Sequence, residues 1–199
     1  MSRSKKLTDD QVLQDAIRFV GKHGVESLTF STLSKQVGLA PATLVQRFGT
    51  KQNLLAMAAE RCFSEINNTL DTARQQYASP LKALEEGIVH MSVTIGSPQT
   101  YANGLALFAI CLSDAEAYVL LQASARQLHN DLRSMLDACV EASELKPLDT
   151  DKAAYALHAL YEGTITTWSM HKEGTAADWV RKHFKIFIQP YVADKNNKE

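Results

Sequence analysis

Val12, Ala16, Phe19 and Val20 recur at steps of three and four, the period at which an α-helix brings side chains onto one face, and they predict an amphipathic first helix. Its start is marked by Thr8 with Gln11 three residues on, the pattern of a capping box, and by the apolar pair Leu7 and Val12 around it. Its end is expected near Gly21–Gly24. Leu33 and Val37, four apart, predict a short second helix, opened by the hydroxyl of Thr29 or of Ser31 and stopped at Gly38, which suits the left-handed conformation that turns the chain. Pro41 fits the first position of a third helix, where its missing N–H has no intrahelical partner. Leu44 and Phe48 form the inward pair of that helix, leaving Pro41, Ala42, Thr43, Val45, Gln46 and Arg47 on or near its outer face. Gly49 ends it, Thr50 caps the next helix and Lys51 lies in that helix's first turn. Two short helices meeting at a glycine turn form a helix-turn-helix, the arrangement that places a second helix in the major groove of DNA.

Beyond Lys51 the helical period continues through Leu54, Leu55, Ala58, Cys62, Ile66 and Leu70 to about Tyr77. Further helices are expected from Ser79–Pro80 to about Ile95, around Tyr101–Cys111, from Asp114 to Ala142, from Asp149 to about His171, and from Ala176 to about Tyr191. Strand alternation is absent, so the fold class is all-α, with about nine helices: an N-terminal three-helix domain over residues 1–50 and a second helical domain over 51–199, joined by the Lys51–Tyr77 helix. Ala154, Leu157, Tyr161, Ile165 and Trp168 make one apolar stripe near the end of the chain, and Val180, Phe184, Phe187, Ile188 and Tyr191 another.

Charge changes the picture only through its placement. The net charge of the 199 residues is −1, yet residues 1–55 carry eight Lys/Arg against four Asp/Glu while the remainder carries 13 against 18. Polyanion binding is thus expected at the N-terminal end. Arg3, Lys5 and Lys6 in the Met1–Lys6 arm suit DNA phosphates or a minor groove, a solvated tail being the other reading. Cys62, Cys111 and Cys139 are odd in number and far apart, which argues against a disulfide framework and for a reducing compartment. No run approaches the ~18 apolar residues that cross a bilayer. A cytoplasmic protein is the simple expectation.

The stretch from Thr29 to Leu54 resembles the TetR family of transcriptional regulators. Thr29, Leu33, Ser34, Val37, Gly38, Leu39, Thr43, Leu44, Phe48, Thr50, Lys51 and Leu54 stand in register with the family's N-terminal pattern, a dozen matches across 26 positions. Three positions depart from it. Ala40 stands where serine is common and removes a side-chain cap; Val45 replaces a usual tyrosine; Arg47 stands where an aromatic or histidine is common, and is expected to supply a phosphate contact or reach a guanine edge. The resemblance implies a homodimer built through the last two helices, their stripes pairing with those of a second copy, with packing inside their own subunit as the other reading of the stripes, so that two recognition helices read a palindromic double-stranded DNA operator. It implies DNA contacts from Thr43, Gln46 and Arg47 to bases, from Pro41, Ala42 and Val45 by close approach, and from Thr29, Ser31, Thr50 and Lys51 to phosphates.

The resemblance also implies a repressor released by a small-molecule effector held in the second domain. Candidates to line that site are the polar and polarisable residues within its apolar helices: His90, Met91, Thr94, Tyr101, Phe108, Gln122, Arg126, His129, Tyr155, His158, Glu162 and Trp168. No phosphate loop, nucleophile–base pair or metal motif is visible, so binding rather than catalysis is expected, without cofactor or metal. The alternative kept open by Ala40 and Val45 is a coregulator of the same fold that binds a ligand or protein partner instead of DNA.

Overall fold

The computed structural model describes Leu7–Ala193. Among these residues the chain forms nine α-helices: α1 (Asp9–His23), α2 (Phe30–Val37), α3 (Pro41–Phe48), α4 (Lys51–Gln76), α5 (Pro80–Met91), α6 (Pro98–Ser113), α7 (Ala115–Glu141), α8 (Thr150–His171) and α9 (Ala176–Ile188), followed by a 3-10 turn at Gln189–Tyr191. Extended backbone pairs in one isolated antiparallel bridge among the described residues, Leu145 with Val192. Arg3, Lys5 and Lys6, expected to reach DNA, lie outside the described residues.

Helix ends follow local chemistry. Thr8 caps α1 in a capping box with Gln11, and Thr175 does the same for α9 with Asp178. Ser79 and Asp149 cap α5 and α8. Boundaries on either side of Gly96 move from expectation. α5 stops at Met91 rather than Ile95, because the buried Ser92 hydroxyl donates to the Val89 carbonyl at 2.6 Å and the β-branched run Val93–Thr94–Ile95 follows. α6 begins at Pro98 rather than Tyr101, the proline serving as its first residue.

Two packing units divide the chain. The first comprises the residues up to Ser64 with Gln99–Ser124. Its core is built from Val12, Ala16 and Val20 of α1, Leu33 and Val37 of α2, Leu44 and Phe48 of α3, and Leu54, Leu55, Ala58 and Ala59 of α4, joined by Leu107, Cys111 and Ala117. Those last three residues are why this unit does not stop at Thr50: α6 and the start of α7 complete its core. Asn103 on α6 donates to the Gly21 carbonyl of α1 at 2.9 Å, and Gln52 on α4 donates to Asp114 before α7 at 2.8 Å.

The second unit comprises Glu65–Pro98 and the chain from Ala125 onward. Gly87 of α5 packs so tightly on α4 that an added Cβ would stand 2.9 Å from Leu70 Cδ2. Arg74 of α4 reaches Asp131 of α7 at 3.0 Å, and Arg181 of α9 reaches Glu85 and Glu86 of α5. The connection from α7 to α8 is cross-tied: Lys146 N–H donates to the Tyr191 carbonyl at 2.7 Å, Ala193 N–H to the Glu144 carbonyl at 3.0 Å, and Leu81 N–H to the Glu144 carboxylate at 2.6 Å.

The two late stripes correct the expectation placed on them. Ala154, Leu157, Tyr161, Ile165 and Trp168 of α8 and Val180, Phe184 and Ile188 of α9 are buried within the chain itself, so they are core and not a face awaiting a second copy. Periodicity showed which face is apolar; it could not show that α8 and α9 use these faces on each other. Tyr191 falls outside α9 and keeps part of its surface exposed.

Candidate nucleic-acid interface

Thr29, not Ser31, opens α2. Its hydroxyl accepts from Thr32 N–H at 3.0 Å while Thr32 Oγ1 accepts from Thr29 N–H at 2.8 Å, a reciprocal capping box. Ser31 is exposed in the first turn of α2. Gly38 ends α2 at φ +70°, its N–H donating to the Ser34 carbonyl at 2.9 Å. Ala40 precedes α3 without a side-chain cap, and Pro41 is the first helical residue. Leu44 and Phe48 are fully buried, which fixes the roll of α3 and turns Pro41, Ala42, Val45 and Gln46 outward, with Thr43 at the margin. Val45 keeps 47% of its surface exposed, a large apolar side chain held in solvent at the centre of that face. Thr50 Oγ1 accepts from Asn53 N–H at 3.1 Å to start α4, and Asn53 Nδ2 donates back to the Phe48 carbonyl at 2.9 Å, tying the end of α3 to the start of α4. Lys35 and Lys51 have no ion pair among the described residues, leaving their charge for a phosphate.

Arg47 sits differently from its neighbours. Its guanidinium turns toward α1, where Nε donates to Asp9 Oδ1 at 2.5 Å and Nη2 pairs with the same oxygen. It lies 5.5 Å from the centroid of the Phe48 ring. The side chain is 22% exposed, against 58% for Asp9. Asp10, next in α1, is engaged separately by Arg61 of α4 at 2.6 Å. A base-reading Arg47 would therefore have to leave Asp9 first.

The residues expected to line an effector site divide between the units. Tyr101, Phe108 and Gln122 belong to the first; His90, Thr94, Arg126, His129, His158, Glu162 and Trp168 belong to the second. A cluster brings His129, Tyr155, His158 and Glu162 together with Asp151 in the second unit. His129 is nine-tenths buried, stacks on Tyr155 with centroids 3.8 Å apart, and sets Nε2 3.0 Å from Asp151 Oδ1, while its Nδ1 has no partner among the described residues. His158 lies 3.9 Å from Glu162; burial and the neighbouring His129 hold its pKa down. The Glu162 carboxyl keeps 56% of its side-chain surface, yet the surrounding helices desolvate it enough to raise its pKa. Among the described residues no group of three His, Cys, Asp or Glu side chains could hold a metal. Trp168 is committed elsewhere, donating Nε1–H to the Gly174 carbonyl at 3.2 Å. His90 lines a hollow of about 130 Å³ with Thr69, Thr72, Gln76, Tyr77 and Glu86.

Residues 12–58 match the family model of bacterial regulatory proteins of the TetR family, and residues 88–192 match that of the BetI-type transcriptional repressor C-terminal domain, together covering most of the chain. The chain belongs to the TetR family. It is a DNA-binding transcriptional regulator of the helix-turn-helix type. The TetR relatives include the transcriptional regulator BetI of Agrobacterium fabrum, 27% identical over 157 residues, or 78% of this chain and 73% of that protein. BetI of Rhizobium meliloti is 26% identical over 147 residues, 73% of this chain and 72% of its own. A regulator from Saccharomonospora viridis, solved in complex with choline, shares the TetR fold at a TM-score of 0.77 with 16% identity, covering 94% of this chain and 98% of that one.

Within this TetR regulator, sequence reasoning missed three side chains at the reading unit. Asp9 entered only through the charge count of residues 1–55, and nothing local links it to Arg47, 38 residues later. Gln52 and Asp114 were not singled out. They flank a cleft of about 400 Å³ between the starts of α4 and α7, lined also by Asn53, Met57, Glu116 and Leu120. Among the described residues no single helix is long and apolar enough to cross a membrane.

Proposed function

We propose that this regulator is a homodimeric repressor that leaves a palindromic operator when a small molecule binds its C-terminal region. The DNA-binding part is residues 1–50 and the effector-binding and dimerisation part residues 51–199, with α4 as the connecting helix. The observation that carries the reading is the outward face of α3: Pro41, Ala42, Val45 and Gln46 stand clear of a helix whose inward pair is fully buried, in a chain whose residues 12–58 match the family's DNA-binding model. On DNA, Thr43 and Gln46 read base edges, Pro41, Ala42 and Val45 make the apolar approach, and Thr29, Ser31, Thr50 and Lys51 hold phosphates.

The dimer uses the face of α8 that the chain leaves open. Tyr155 and Met170 are 62% and 69% exposed there, with Ala159, Glu162, Gly163 and Thr166 between them, and Ile186 of α9 is 60% exposed. Small residues let a second helix approach closely, and the large ones supply apolar area to be covered. Two copies related by a two-fold axis present two α3 helices to half-sites about one helical turn apart, ~34–36 Å. An effector weakens that binding by preferring the conformation in which the two helices are mis-spaced. His129, Tyr155, His158 and Glu162 are the polar groups most closely assembled for such a role. Choline, bound in the Saccharomonospora viridis neighbour, is the first ligand to try.

The test is selection of bound fragments from the source genome with the purified protein at moderate salt, followed by sequencing. Enrichment of a palindrome with half-sites one turn apart supports the reading. No enrichment over random DNA overturns it and leaves a coregulator of the same fold.

A further inference from the structure

We propose that Asp9 sets the affinity of the reading unit for DNA: its carboxylate occupies the Arg47 guanidinium off DNA, so that phosphate must displace it and every duplex is bound more weakly than the unmasked cation would allow. The inference rests on the reading that α3 faces DNA.

Three observations carry it. Both Nε and Nη2 of Arg47 converge on one oxygen of Asp9, the attitude a guanidinium takes toward a phosphate oxygen. The Phe48 ring supports the guanidinium from the inside at 5.5 Å, so the cation is held at the edge of α3 whether its anion is carboxylate or phosphate. Neither partner is shared: Asp10 is taken by Arg61, and Lys35 and Lys51 have no acid partner among the described residues. The reading unit thus presents cations that are always available and one that is masked.

Masking acts on both modes of binding. Sequence-independent association is almost entirely electrostatic, so a cation withdrawn and an anion left behind in each subunit removes a large share of it. Operator binding adds base contacts that do not involve this pair, so the cost of displacing Asp9 is common to both modes and leaves their ratio unchanged. The pair suits that use because Asp9 is mostly in water, where an ion pair is weak and screened and yields to a denser anion.

The test measures affinity for operator and random duplexes over a salt series, for the unsubstituted protein, Asp9→Asn, Arg47→Ala and the double variant, with thermal unfolding of each. Asp9→Asn is expected to tighten random-duplex binding about tenfold at low salt, to steepen its salt dependence by roughly two units per dimer, and to tighten operator binding by a similar factor, so that discrimination is kept. In the Arg47→Ala background the same substitution should leave the salt slope unchanged. An unchanged slope in Asp9→Asn, or weaker binding to both duplexes with a lower melting temperature, makes the pair a structural tie and overturns the inference while the DNA reading stands. Failure of the unsubstituted protein to bind any duplex overturns both.

Discussion

Arg181 on α9 holds Glu86 on α5 with two donors, Nη1 at 2.7 Å and Nη2 at 2.9 Å, and the same Nη1 reaches Glu85 at 3.0 Å. Lys82, one turn earlier in α5, adds Nζ at 2.6 Å to Glu86. The Arg181 hydrogen bonds, then those from Lys82, pull the Glu86 carboxyl down to about 2.

A pH dependence follows from that depression. A carboxyl whose folded pKa lies below its unfolded value contributes stability that is complete above about pH 4.5 and is lost as pH falls toward 2. With Glu86 keeping 15% of its side-chain surface, roughly 1–2 kcal/mol is expected to disappear across that window after solvent screening. Urea unfolding at pH 6 and pH 2.5 should show a larger loss for the natural protein than for Glu86→Gln; equal losses would remove this pair from the acid response.

Gly38 turns α2 into α3 at φ +70° with nothing within 4 Å of where a Cβ would stand. A side chain there meets no obstacle, so its cost is purely conformational. Gly38→Ala is expected to lower stability by about 1 kcal/mol and Gly38→Asn by less, because asparagine enters the left-handed region more readily. Equal melting temperatures for the natural protein and the alanine variant would contradict this.

Lys51 and Gln46 should separate phosphate from base contacts. Lys51→Ala is expected to weaken all duplexes alike and to reduce the salt slope by about one per subunit. Gln46→Ala should cost ~1–3 kcal/mol per half-site on the operator and little on random DNA. Binding isotherms on the two duplexes at several salt concentrations distinguish the pair, and a sequence-selective effect from Lys51 would reverse the roles.

Burial pushes the Cys139 thiol up to about 12 and raises that of Cys111, while Cys62 is only half-buried. Iodoacetamide at pH 8 should therefore modify Cys62 first and leave the other two untouched until denaturant is added. Mass spectrometry of tryptic fragments reads this directly, and early labelling of Cys139 would show that the α7 core opens.

What the sequence disclosed about the fold was local. Thr8 with Gln11, Thr29, Gly38, Pro41 and Gly49 each act on backbone groups within a few positions, so their placement could be read without knowing what packs on what. What it hid was non-local. The Arg47–Asp9 pair spans 38 residues and the Arg181–Glu86 pair 95, and no periodicity announces either. The α8 and α9 stripes lie between these cases: Leu157 and Phe184 were legibly apolar and inward, but an amphipathic pattern does not say whether the opposing surface belongs to the same chain. The grouping of α6 with the reading unit was equally silent, because Leu107 and Cys111 look like ordinary members of a hydrophobic helix.

The bridge between Leu145 and Val192 bears on how this protein tolerates damage. Connections such as residues 142–149 are normally where proteases nick a helical protein and where insertions are accepted. Here the connection is stitched on one side to the backbone after α9 and on the other to the start of α5. A lengthened connection would have to re-form both seams, and a nick would leave its two ends still fastened. Deletions that trim the chain back to Ile188 would undo a loop more than forty positions earlier, so the last residues of the fold behave as a closing seam for its middle.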